Sequence, residues 1–101
     1  MNINRALSMI SLATKAGKTK SGEFMTEKEV KEGRAHLVIV ADDASDNTKK
    51  KFTNKCKHYD VPILITSTKD ILSSIIGKDN RSTFAIIDEN FANKIHSMLE
   101  Q

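Results

Sequence analysis

The sequence predicts an α/β fold: a three-layer α/β/α sandwich around a small mixed, mostly parallel sheet of about four strands. Three observations lead to it. Segments with apolar residues at helical spacing alternate almost throughout with short β-branched runs. The connections are short and punctuated by Gly17, Gly33, Pro62 and Gly77. The run Leu37–Val40 is apolar at every position, as a strand covered on both faces is. Parallel neighbours need an intervening helix, so this alternation favours parallel pairing.

Ile3, Leu7 and Ile10, with Ala6 and Ala13 beside them, predict an amphipathic helix over residues 3–15, ended by Gly17. Thr19 and Lys20 form a very short strand, and a second helix opens at Gly22, runs to about Glu32 and stops at Gly33. Leu37–Val40 follows as a buried strand. Asp42-Asp43-Ala44-Ser45-Asp46 supplies N-cap candidates for a third helix over residues 45–58, whose buried face is marked by Thr48, Phe52, Cys56 and Tyr59. Pro62–Ile65 is the next strand, and Ser67 or Thr68 caps a helix through Ile76, ended by Gly77. Thr83–Ile87 is the last strand. Phe91, Ile95, Met98 and Leu99 then mark a C-terminal amphipathic helix.

At 101 residues the chain is expected to be one domain, with a core large enough to need neither metal nor disulfide. No apolar run approaches the roughly 20 residues of a membrane span, and the N-terminus lacks the pattern of a secretory signal. A cytoplasmic location is therefore expected. Cys56 is alone, and His36, His58 and His96 lack the paired spacing of a zinc site, so Cys56 reads as a small buried hydrophobe.

The formal charge is only +3, but eleven of the sixteen Lys and Arg residues lie between Lys15 and Lys57. A basic half of this kind attracts phosphate backbones, although an ordinary solvated lysine surface has the same composition. The segment from Ser21 to Gly33 sharpens this. One glycine opens it and another closes it, and its only basic side chains, Lys28 and Lys31, share a helical face. The start of such a helix can hold an anion.

Element order and local motifs together resemble the kink-turn-binding ribosomal protein superfamily of the large subunit. The resemblance spans nearly the whole chain and rests on Gly17-Lys18 through Gly22, the block Gly33-Arg34-Ala35-His36-Leu37-Val38-Ile39-Val40-Ala41-Asp42-Asp43-Ala44-Ser45, and Phe91-Ala92-Asn93-Lys94. Within the superfamily these segments are most similar to its short bacterial YlxQ-type, ribosomal-protein-like branch. The resemblance implies that Gly22 and Lys28 correspond to the glycine that opens the RNA-facing helix and the lysine six residues on. It also implies an Asn and a Glu that read sheared G·A pairs, and here those places hold Phe24 and Met25. Neither side chain carries the required donors and acceptors. By analogy with duplex DNA, two lost base contacts at about 1–3 kcal/mol each would remove roughly 2–6 kcal/mol of discrimination.

General or altered RNA binding is accordingly expected, with phosphates held at the Gly22 helix start and by Lys18, Lys20, Lys28 and Lys31. The second RNA-facing loop implied by the resemblance is Gly77–Ser82, where Lys78 and Arg81 are phosphate contacts, although the segment is equally an ordinary polar turn. For Phe24 and Met25 three readings stand: a platform on which a splayed base stacks, an inward-facing pair in the core, or a protein-docking patch. Asp42-Asp43 reads as helix capping beside Ser45 rather than an acid/base pair, and neither a P-loop nor GxGxxG is present.

The expectation is thus a non-enzymatic RNA-binding protein without metal or cofactor, probing structured RNA, foremost ribosomal RNA. Ribosomal or translation proteins are additional partners, no membrane is involved, and the chain is a monomer. The alternative is a protein-interaction adaptor that kept the fold and lost specific RNA recognition.

Overall fold

The structure, a computed structural model, describes residues 3–100. Among these residues five helices and four strands alternate: α1 (Ile3–Lys15), β1 (Thr19–Ser21), α2 (Glu23–Lys31), β2 (Leu37–Val40), α3 (Asp46–Tyr59), β3 (Ile63–Ile65), α4 (Lys69–Ile75), β4 (Thr83–Ile86) and α5 (Glu89–Glu100). Every element expected from the sequence is present, with ends shifted by a residue or two.

The sheet divides the apolar residues between two cores, as alternating strand side chains require. On one side Leu37, Ile39, Phe84 and Ile86 pack with Ala6 and Ile10 of α1, Leu72 of α4 and Ala92, Ile95 and Leu99 of α5. On the other, Val38, Val40 and Ala85 pack with Val30 of α2 and Phe52 and Cys56 of α3. All four residues of β2 are buried, as the uncharged run predicts. The result is an α/β/α sandwich with α1, α4 and α5 in one outer layer and α2 and α3 in the other.

Strand order is β1-β4-β2-β3. The expectation of a mostly parallel sheet is corrected here: β2 and β3 are parallel, but β4 is antiparallel to both β1 and β2. Strands β1, β2 and β3 do run the same way, and β4 lies reversed among them. The reason is the connection before β4. The seven-residue α4 is followed by a loop that folds back along it, because the Ser73 hydroxyl accepts from the Arg81 N–H at 2.8 Å and donates to the Arg81 carbonyl at 2.9 Å. The chain thereby returns to the end of the sheet where β3 finished, and β4 must start there and run back.

Two smaller expectations also change. Ser45 caps α3, accepting from the Thr48 N–H at 3.1 Å, but Asp43 reaches instead to α4, where it accepts from Lys69 N–H at 2.8 Å. Asp42 pairs with Lys49 at 3.8 Å. Tyr59, expected on the buried face of α3, is exposed; the left-handed turn at Asp60 brings Val61 against the core in its place.

Candidate nucleic-acid interface

One end of the sheet gathers the residues of interest. Gly22 N–H donates to the Thr83 carbonyl at 2.9 Å, and Ala41 N–H donates to the Ser82 carbonyl at 2.8 Å, so the start of α2, the end of β2 and the loop before β4 lie together. The hydroxyls of Thr26 and Thr83 meet at 3.4 Å inside the protein and tie α2 to β4. Between the two segments lies an open cleft of about 280 Å³, walled by Ser21–Met25 on one side and Asn80–Thr83 on the other.

The helix start in this cleft has an unusual chemistry. Ser45, Thr68 and Asp88 put side-chain oxygens on the first turns of α3, α4 and α5, at 3.1, 3.2 and 2.9 Å. Among the described residues no side chain caps α2. The N–H groups of Glu23, Phe24 and Met25 have no carbonyl four residues back within the helix, and with the helix dipole they lend this end a positive character that the Glu23 carboxylate of the same turn, paired with Lys51 at 3.9 Å, partly offsets. Gly22 sits at φ +92°, a conformation in which a side chain is strained. The Arg81 side chain crosses directly beside it: Nε and Cδ stand 3.7 and 3.8 Å from where a Cβ on Gly22 would lie. Arg81 is held there by its Ser73 bonds and by donation from its guanidinium to the Asp79 carbonyl at 2.7 Å.

Phe24 is 77% exposed, which removes the core reading for it, whereas Met25 is half-buried in the cleft wall. Down the outer side of α2 a second shallow hollow is lined by Phe24, Glu27, Lys28, Lys31 and Glu32. Lys31 is engaged with Glu27 at 3.8 Å, and Lys51 and Lys55 of α3 reach the same carboxylate at 3.4 and 3.7 Å. Partial burial raises the pKa of Glu27, but the three lysines outweigh it and hold the group below its ordinary 4.5. Among the described residues Lys28 and Arg81 form no ion pair, so their charge is available to a ligand.

The structure therefore brings Gly22, Phe24, Met25 and Arg81 around one cleft, with Lys28 and Lys31 adjoining it. It does not bring Lys18, Lys20 or Lys78 to that cleft. Lys18 lies before the far end of β1, where its carbonyl accepts from Ile87 N–H. Lys20 is opposite Ala85 on the edge strand, and Lys78 lines a separate hollow with Thr14, Thr19 and Ser21. Sequence reasoning missed Ser73, which fixes the loop, and Glu27, the hub of the lysine cluster. A serine at mid-helix gives no signal of its role, whereas Glu27 sits four residues before Lys31, a spacing that pairs them. Cys56 is buried, and burial pushes its thiol up to about 11, so it is unreactive at neutral pH.

No helix among the described residues is long and apolar enough to cross a membrane. Comparison with known proteins is consistent across sequence and fold. The pattern of the ribosomal protein L7Ae/L30e/S12e/Gadd45 family matches residues 4–96. A Bacillus subtilis protein called RNA-binding protein YlxQ is 42% identical over 92 residues, 91% of this chain and 92% of its own length. A protein of the same name from Enterococcus faecium is 38% identical over 99 residues, 98% of this chain and 95% of its own. Among solved structures, a protein of unknown function from Bacillus halodurans superposes with a TM-score of 0.92 at 32% identity, covering 95% of this chain and 97% of that one. The Giardia lamblia 15.5kD RNA binding protein superposes with a TM-score of 0.79 over 93% of this chain and 83% of its own; at 23% identity this likeness is one of fold.

Proposed function

The chain belongs to the ribosomal protein L7Ae/L30e/S12e/Gadd45 family, and on that premise we propose that it is a non-enzymatic RNA-binding protein that grips structured RNA at the cleft between the start of α2 and the Arg81 loop. The observation that carries this reading is the pairing of the uncapped α2 start with Arg81 beside Gly22. Backbone N–H groups and a guanidinium there converge on one small volume, the donor set that suits a phosphate.

Phe24 at the rim supplies a flat apolar surface for an unstacked base, and Lys28 continues the phosphate track along α2, with Lys31 beside it shared with Glu27. Lys18, Lys20 and Lys78 stand outside the cleft and serve only RNA that extends beyond it. With Phe24 and Met25 where base-reading side chains would stand, recognition depends on backbone shape and stacking more than on base edges. The RNA-binding names of the two relatives support RNA as the ligand, and structured ribosomal RNA is the target class we favour.

Electrophoretic titration of a bulged hairpin RNA with the wild type and with Phe24→Ala, Lys28→Ala and Arg81→Ala tests the site. Each variant should bind more weakly, and wild-type affinity should fall steeply with salt. Unchanged affinity in all three would remove the site. The exposed Phe24 also suits a protein-docking patch, and binding of a ribosomal or translation protein through Phe24 with little response to salt would favour that second reading.

A further inference from the structure

Helix α3 differs in charge from its neighbour α2. After Asp46 in its first turn it carries no carboxylate, yet it holds five lysines: Lys49, Lys50, Lys51, Lys55 and Lys57. Three of these are engaged, Lys49 with Asp42, Lys51 with Glu23 and Glu27, and Lys55 with Glu27. Lys50 and Lys57 are exposed and form no ion pair among the described residues. They are two turns apart on one face, roughly 10 Å along the axis, with exposed Thr53 and Asn54 between them. The apolar side chains of the helix, Phe52 and Cys56, point the other way into the core. The outer face is therefore a strip of hydrogen-bond donors and hydroxyl groups with no apolar anchor for a protein partner.

This strip is continuous with the proposed RNA site. The pairs Glu23–Lys51 and Glu27–Lys55, at 3.9 and 3.7 Å, advance by four residues on both helices, so α2 and α3 lie side by side and parallel. Both start at the end of the sheet that holds the cleft. An RNA stem leaving the cleft along the helix axes meets the α3 strip, and duplex RNA is recognised chiefly through phosphates and 2′-hydroxyls by groups of this kind.

We infer that the exposed face of α3, centred on Lys50 and Lys57, is a second, sequence-independent contact for the backbone of a double-stranded stem continuous with the RNA held at the cleft. The inference rests on the RNA-binding reading above. It is tested by filter binding of a short bulged hairpin, and of the same hairpin with its stem lengthened by one helical turn, to the wild type and to the double variant Lys50→Gln/Lys57→Gln at 50 and 200 mM salt. The variant should bind the short hairpin as the wild type does. On the long hairpin its loss of affinity between the two salt concentrations should be about tenfold smaller than the wild type's, as expected when two phosphate contacts are removed. Equal salt responses of the two proteins on the long hairpin would overturn the inference while leaving the cleft intact, and an equal loss on both hairpins would overturn it by placing these lysines in the primary site. Competition by poly-glutamate as effective as by the long hairpin would assign the strip to acidic proteins instead. If the wild type bound neither hairpin, the RNA reading itself would fall, and this inference with it.

Discussion

The hydroxyls of Thr26 and Thr83 face each other at 3.4 Å with no exposed surface on either residue, so each is the other's partner within the protein. Removing one alone leaves a buried hydroxyl deprived of that partner. Thr83→Val should cost about 1–3 kcal/mol in urea unfolding, whereas Thr26→Val/Thr83→Val together should recover most of that loss. Additive losses would show that the two hydroxyls do not depend on each other.

Gly22→Ala should strain the backbone more than it crowds its surroundings. The nearest Arg81 atoms would be 3.7 and 3.8 Å from the new methyl, an ordinary contact, but φ is +92°. A destabilisation of roughly 1–3 kcal/mol is expected in thermal melts, accompanied by weaker RNA binding because the α2 start must turn.

Phe24→Ala separates binding from stability. At 77% exposed, the side chain contributes little to folding, and unfolding should change by less than about 0.5 kcal/mol. Loss of a stacking surface should cost about 1–3 kcal/mol of RNA affinity, read by titration with a bulged hairpin.

The lysine cluster on Glu27 makes stability depend on pH with a definite sign. The carboxyl of Glu27 titrates below its ordinary 4.5 in the folded protein, so its ionised form is favoured by folding. That stabilisation is present above the unfolded value and is lost as pH falls from about 4.5 through the folded pKa. Glu27→Gln should therefore be less stable than the wild type near neutrality, with the gap closing in acid denaturation followed from pH 6 downward.

Local signals were enough to locate every element: four helices carry an apolar stripe and the inner strands β-branched residues, whereas α2 is marked by Gly22 and Gly33 and β1 by little more than Thr19. Pairing direction was not legible in the same way. It depends on where the chain stands after α4, which is decided by the Ser73–Arg81 bonds across eight residues. The candidate site divides similarly. Lys28 and Lys31 follow from their helical spacing, and Phe24, Met25 and the Arg81 loop came into view through family resemblance. The close approach of Arg81 to Gly22 is set by tertiary placement, as is the reach of Asp43 to the start of α4.

The position of β4 has a consequence for how the protein is made. The strand that joins β1 to β2 is encoded last of the four, so a growing chain carries two unjoined strand edges until Thr83–Ile86 have emerged. Neither core can close before then, since Phe84 and Ile86, followed by Ala92, Ile95 and Leu99 of α5, belong to one and Ala85 to the other. Folding is thus held back until β4 has emerged, and the cleft, whose far wall is Asn80–Thr83, comes into being in the same step.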